Sequence, residues 1–306
     1  MGNETDGNTS NLMKSILHTL AFFAAQGKAL TLLELQGSLA RVDPGQTAPT
    51  LFELRETIAR SLSSEVAEEN GLYFLKTHNP DLQSRLEKYK RTAELFRKAS
   101  QWVYGLRYVP FVRAAAVCGS TAQFNASPES DIDLFIIVAP GRVFLARFLV
   151  SVYFQIFGGR RHGEYIIGRF CLNHYIACGL VLDRDRNLYT AELYISLIPI
   201  FGRRYFEEFW SKNNFWIEQF VLGPKYPISP VFKARRSQNI FQYLEEFLLW
   251  PFAGALEKLA KFLQKRRIRQ SETVFVTDAE LSFHPESKGQ RILGRFREIL
   301  GHYPPG

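Results

Sequence analysis

The stretch Val117–Val138, VCGSTAQFNASPESDIDLFIIV, places two acidic residues at the start of a strongly apolar run. Asp131 and Asp133 are two residues apart, so on a strand their side chains project from the same face of the sheet. Two carboxylates held this close repel one another, and burying a carboxylate without a partner is costly. The pattern therefore predicts that a cation lies between Asp131 and Asp133.

A Gly-Ser-Thr triplet precedes this acidic pair, with ten residues between Ser120 and Asp131. Gly119 leaves backbone N–H groups uncovered, and Ser120 and Thr121 add two hydroxyls, a combination that suits a bound phosphate. Mg²⁺ prefers carboxylate oxygens and takes its other ligands from water and substrate phosphates. We therefore expect Mg²⁺, or Mn²⁺ in its place, beside a phosphate-binding turn. Ser130, just before the first aspartate, is either a further phosphate ligand or a cap of the loop.

Apolar runs predict buried strands on both sides of this turn, at Ala114–Cys118 and Asp131–Val138. The run Val143–Phe157 predicts a buried helix, because at fifteen residues with Arg147 inside it is short for a membrane span. One or two further strands are expected within Ile166–Leu182. The alternation of strands and helices indicates an α/β core.

The motif CGSTAQFNASPESDIDLFII is similar to the nucleotidyltransferase signature of the DNA polymerase beta superfamily. That signature is an apolar residue, Gly-Ser, a spacer of about ten residues, and Asp-apolar-Asp. The order of motifs along nearly the whole chain also resembles a group of bacterial and archaeal nucleotidyltransferase-domain proteins. The resemblance implies an α/β (α+β) core with a mixed sheet.

The same resemblance implies a reaction in which an acceptor hydroxyl attacks the α-phosphate of a nucleoside triphosphate and pyrophosphate is released. Asp131 and Asp133 would hold the metal ions, and Gly119 and Ser120 would hold the β- and γ-phosphates. The acceptor could be an RNA end, a protein or a small molecule. The sequence does not choose among these acceptors.

One position departs from the family pattern, which usually has a third carboxylate on a later strand. The corresponding run, RFCLNHYIA at residues 169–177, offers Asn173, which can ligate a metal through its carbonyl oxygen but cannot act as a base. Glu164, Asp183 and Asp185 are the alternative acids nearby. If none of them joins the aspartate pair, the rival hypothesis is an inactive nucleotidyltransferase fold that binds nucleic acid or a partner protein.

Patterns along the rest of the chain predict an N-terminal unit of three helices and a hairpin, typical of a winged helix. The hairpin signal is Asn70-Gly71, and Thr31 with Glu34 predicts a capping box. The predicted units are a disordered tail at 1–10, a winged-helix-like unit at 11–80, a connecting helix at 81–110, a nucleotidyltransferase core at 111–188 and a helical C-terminal unit at 189–306. The charge of the connecting helix is expected to lie on a solvated face.

Composition restricts the class of partner and compartment. The chain has 306 residues, 46% of them hydrophobic, and a net charge of +8, which favours anionic partners such as nucleotides or nucleic acid. Its three cysteines lack metal-ligand spacing, which favours a reduced, cytoplasmic protein. No membrane span is expected.

Overall fold

The computed structural model describes residues 2–159, 167–223, 240–268, 274–283 and 286–303. Within these ranges the chain has a mixed α/β architecture. It contains a three-stranded sheet near the N-terminus and a six-stranded sheet that holds the acidic pair. The expected α/β class is therefore confirmed.

The N-terminal unit contains the three helices and the hairpin that the sequence predicts. The helices are α1 (Gly2–Ala24), α2 (Leu32–Gly37) and α3 (Leu51–Ser61), and the strands are β1 (Leu30–Thr31), β2 (Val66–Glu69) and β3 (Leu72–Leu75). The three strands pair in the order β1-β3-β2. Thr31 and Thr50 each close a capping box at the start of α2 and α3, which fixes where these helices begin.

One expectation for the first hundred residues was wrong, and a second holds only in part. Residues 1–10, expected to be a disordered tail, are helical from Gly2, because adding turns to a helix that is already nucleated costs little. The connecting helix α4 (Leu82–Val103) does not carry its charge only on a solvated face. Arg85 is buried and donates to Glu34, Ala29 and the carbonyl of Phe124. This arginine joins the N-terminal unit to the loop that precedes the acidic pair.

The six-stranded sheet forms the centre of the molecule. Its strands are β4 (Val112–Cys118), β5 (Ile132–Val138), β6 (Phe170–Ala177), β7 (Ile198–Phe201), β8 (Phe275–Val276) and β9 (Glu280–Ser282), in the order β7-β4-β5-β6-β9-β8. Strands β5 and β6 are parallel and the other neighbours are antiparallel. Helix α6 (Val143–Ile156) makes the crossover between β5 and β6. The expected strand pair and buried helix are confirmed.

The C-terminal region, expected to be helical, also supplies three strands to this sheet. Its helices are α7 (Leu188–Ile195), α8 (Arg203–Ile217), α9 (Ile240–Arg267) and α10 (Glu286–Leu300). Strand β7 has only four residues, too few for periodicity to distinguish it from a helix. Gly202 ends it at a φ of +76°, where a Cβ would lie 2.4 Å from the Arg113 carbonyl oxygen. The sheet therefore continues past residue 188.

Helix α9 packs on α6 through small and polar residues. Glu257 accepts hydrogen bonds from the backbone N–H groups of Phe144 (3.0 Å) and Leu145 (2.7 Å), which caps the first turn of α6. Ala253 and Ala260 are buried, whereas Leu256, Leu259 and Phe262 of the same helix are exposed. None of the described helices is both long and apolar enough to cross a membrane.

Helix α10 packs against α1 and α7, between the N-terminal unit and the central sheet. Ile299 is buried in the N-terminal cluster, and the Phe296 ring lies edge-on to Phe22 with 6.0 Å between centroids. At its other end the helix passes under Tyr189, where a Cβ on Gly289 would lie 2.9 Å from the ring. These contacts hold α10 at both of its ends.

The buried carboxyl of Glu192 on α7 makes the free energy of unfolding depend on pH. Its side chain is 1% exposed, and burial raises the pKa of its carboxyl from 4.5 to about 8, although Ser38 and Lys28 oppose this shift. The native protein therefore keeps this proton while the unfolded chain loses it. As a result, the stability conferred by this group falls as pH rises from about 4.5 to about 8.

We expect Glu192→Gln to raise the free energy of unfolding by about 2 kcal/mol at pH 7 to 8, with no gain near pH 4, because the amide cannot lose a proton. Urea unfolding of both proteins across this pH range measures the difference. Glu87→Gln, at an exposed position, is the matched control. Equal unfolding free energies at pH 8 would contradict the assignment.

Candidate active site

The acidic pair lies where β5 begins. Asp131 precedes the strand, and Asp133 pairs with Cys118 on β4 and with Cys171 on β6. One ligand atom from each of Asp131, Asp133 and Cys171 lies within 4.8 Å of the others. The two carboxylates therefore converge, as the period of a strand predicts.

Gly119 allows this close approach. It follows β4, opens the short helix α5 (Gly119–Ala122), and has a φ of +66°. A Cβ at this position would lie 2.6 Å from Oδ2 of Asp133, so any side chain would displace the carboxylate. The glycine in the Gly-Ser pair is therefore required both by its backbone conformation and by its contact with the aspartate.

The electrostatics of the pair favour a bound cation. Burial, followed by repulsion from Asp131, raises the pKa of Asp133 from 3.8 to about 6. The positive charge of Lys288 and hydrogen bonds with Asn173 and Cys171 partly offset this rise. A divalent ion would remove the remaining repulsion.

The donor atoms around the pair suit a hard cation. Carboxylate oxygens are the ligands that Mg²⁺ and Mn²⁺ prefer. The Cys171 thiol, which is not in a disulfide, forms a hydrogen bond with Asp133, and a thiol that donates in this way is not a strong metal ligand. The two aspartates therefore fit Mg²⁺ or Mn²⁺.

Asn173 on β6 lies next to Asp133. Its Nδ2 donates a hydrogen bond of 2.9 Å to Oδ1 of Asp133, which orients the carboxylate. Asp185 pairs with Arg184 (2.9 Å), and neither it nor Asp183 belongs to the described acidic cluster. Glu164 lies outside the described residues. Asn173 therefore contacts Asp133 through its amide nitrogen and supplies no carboxylate to the site.

The remaining predicted residues take different places around the Gly-Ser turn. Ser120 and Ser130 line the adjacent cleft, and the Ser130 hydroxyl also accepts a hydrogen bond from the Ser127 backbone N–H (2.9 Å). Thr121 is 1% exposed and its hydroxyl faces the Asp131 carbonyl oxygen at 3.5 Å. Thr121 therefore supports the loop and does not face the cleft. Ser130 caps the loop and also lines the cleft, and its role as a phosphate ligand stays a prediction.

The cleft beside the turn has a volume of about 780 Å³, within the range of sites that hold a nucleotide-sized ligand. One wall is the Gly119–Ser130 loop and another is the end of α1. The third wall is α10, which contributes Lys288, Arg291 and Arg295. Sequence analysis missed these cations, although their spacing of three and four residues places them on one helix face.

A smaller cavity of about 130 Å³ lies on the other side of Lys288 and Tyr189, which line both spaces. His174 and Glu280 form part of its wall, with 3.1 Å between Nε2 and Oε1. Arg184 also pairs with Glu280, at 2.9 Å. His174 and Arg184 both pair with Glu280 here, whereas the Gly-Ser turn lines the larger cleft, so we assign the chemistry to the larger cleft.

No protein-family model, curated protein or solved structure matches this chain. Functional inference therefore depends on the geometry of the aspartate pair, the Gly-Ser turn and the cleft.

Proposed function

We propose that the protein is a Mg²⁺-dependent nucleotidyltransferase, which transfers a nucleoside monophosphate from a nucleoside triphosphate to an acceptor hydroxyl. The observation that carries this proposal is the close approach of Gly119 to the carboxylate of Asp133, with Asp131 converging on the same point. This close approach puts a phosphate-binding turn next to a metal-binding pair, as the nucleotidyltransferase signature requires.

In this proposal the acceptor oxygen forms a bond to the α-phosphorus while the bond to the bridging oxygen breaks. Pyrophosphate leaves with that electron pair, and the hydroxyl proton passes to water. A bound divalent ion would neutralise charge on the phosphates and polarise the acceptor hydroxyl. Asp131 and Asp133 would hold the ion, Asn173 orients Asp133, and the backbone of Gly119 and the hydroxyl of Ser120 would position the phosphates.

The order of elements in the N-terminal unit supports a winged helix. Its third helix, α3, carries Arg55 and Arg60, but Arg60 pairs with Glu56 at 2.7 Å. A helix that reads nucleic acid is expected to present unbalanced positive charge. We therefore propose that this unit serves in packing. The end of its first helix, α1, forms one wall of the cleft.

A second candidate function is supported by β6. Because Asn173 and Cys171 face Asp133 where an acid is usual, the fold could bind nucleotide or a partner without catalysis. Transfer of label distinguishes the two functions, because a binding module forms no covalent product.

We expect the protein with Mg²⁺ or Mn²⁺ to transfer label from an α-labelled nucleoside triphosphate, but not from a γ-labelled one, to an acceptor in a cell extract. The label should survive denaturation and should be lost in Asp131→Asn. Asp183→Asn, at an exposed acid outside the cluster, is the matched control. Absence of transfer with all four nucleotides would favour the binding module.

A further inference from the structure

One face of α10 presents three cations to the cleft. Lys288, Arg291 and Arg295 lie along about 10 Å of the helix axis, and all three line the cleft together with Gly119 and Ser120. Neither arginine forms an ion pair within the described part of the chain. Among the described residues that line the cleft, Glu298 is the only acid. This wall is therefore strongly positive and faces the phosphate-binding turn.

Of the three cations on α10, Lys288 lies nearest the aspartates. Lys288 lies near enough to Asp133 to lower the pKa of that carboxyl against the larger effects of burial and Asp131. Tyr189, which covers the first turn of α10, has its pKa raised to about 12 by burial and by the negative charge of Asp133. Lys288 and Tyr189 also line the cleft together with Gly119, which approaches the Asp133 carboxylate. The first turn of α10 is therefore the part of the helix nearest the aspartate pair, and Arg291 and Arg295 follow along the helix.

Packing holds this wall in place. Phe296 and Ile299 pack in the N-terminal hydrophobic cluster and Gly289 packs under Tyr189, so the arginines stand on a helix that is anchored at both ends. A guanidinium on a fixed helix binds phosphate oxygens in a defined geometry and loses less entropy than one on a loose loop.

We infer that Arg291 and Arg295 bind the β- and γ-phosphates of the donor, with the α-phosphate placed at the Lys288 end beside Asp131 and Asp133. The identity of the donor rests on the proposed function, whereas the preference for a chain of phosphates follows from the spacing and charge of α10. The substrate class is therefore a nucleotide with a terminal triphosphate. Nucleoside monophosphates are expected to bind weakly.

Inorganic triphosphate in the presence of Mg²⁺ is the probe, because it requires no choice of base. Calorimetric titration should show that Arg291→Gln/Arg295→Gln weakens its binding by at least about a hundredfold, or about tenfold for each arginine–phosphate interaction removed. Arg297→Gln, an exposed arginine of α10 that does not line the cleft, should stay within about twofold of the natural protein. Lysine at positions 291 and 295 should restore part of the affinity.

Equal binding by the double variant and by Arg297→Gln would overturn the inference, as would binding of AMP as tight as that of inorganic triphosphate. Unfolding midpoints of the variants establish that both proteins are folded. If binding depends on the two arginines but no label is transferred, the proposed function fails and the polyphosphate site stands. If label transfer is unaffected by the double variant, the enzyme stands and the polyphosphate site fails.

Discussion

Asp133→Asn is expected to reduce nucleotidyl transfer at least about a thousandfold, because a metal-binding carboxylate contributes several kcal/mol of charge stabilisation. The same change should stabilise the metal-free protein. Burial and the charge of Asp131 raise the pKa of the Asp133 carboxyl from 3.8 to about 6, so the ionised folded state bears a cost of desolvation and repulsion that the unfolded chain lacks. We expect a gain of about 1–2 kcal/mol at pH 7.5 after allowance for solvent screening.

Metal-free stability conferred by Asp133 should therefore decrease as pH rises from about 4 to about 6, and Asp133→Asn should lack this slope. Mn²⁺ should raise the unfolding midpoint of the natural protein but not that of the variant, since only the former binds the ion tightly. Asp183→Asn is the matched control and should behave like the natural protein. An identical Mn²⁺ response in Asp133→Asn would show that the pair is not a metal site.

Gly119→Ala is expected to inactivate the protein through a single methyl group. The new Cβ would lie 2.6 Å from Oδ2 of Asp133, and the residue would also keep a φ of +66°. The left-handed backbone alone costs about 1–2 kcal/mol. Displacement of the carboxylate should additionally lower transfer at least about a hundredfold, because misplacement by about 1 Å has effects of that size.

Gly141→Ala separates these two effects. Gly141 has a φ of +67°, but a Cβ there has no atom within 4 Å, so the substitution introduces the same backbone strain without the close approach. Both variants should lose similar backbone stability in urea unfolding, whereas only Gly119→Ala should lose Mn²⁺ affinity in titration. Equal Mn²⁺ affinity in the two variants would show that the close approach of Gly119 to Asp133 is not functional.

The acidic pair could be predicted from sequence because its geometry is local. A period of two places Asp131 and Asp133 on one face, and a glycine before a short helix marks a sharp exit from β4. These features depend on residues within one stretch of chain. The apolar runs on either side predict the two strands for the same reason.

The cationic wall could not be predicted in the same way. Arg291 and Arg295 reach the cleft only because α10 packs on α1, and that packing joins residues at opposite ends of the sequence. Strand β7 was missed because four apolar residues carry no periodicity, and the burial of Arg85 was missed because its partners are distant in the chain. Long-range packing, not local propensity, decides each of these features.

The position of α10 also has a consequence for synthesis of the protein. Strands β4, β5 and β6 emerge from the ribosome well before residues 286–300, so a nascent chain already carries the aspartates while the opposite wall is missing. Since domains fold as translation proceeds, such a chain can form most of its central sheet before α10 is available to bind phosphates. Under the proposed function, donor binding is therefore expected only after α10 docks.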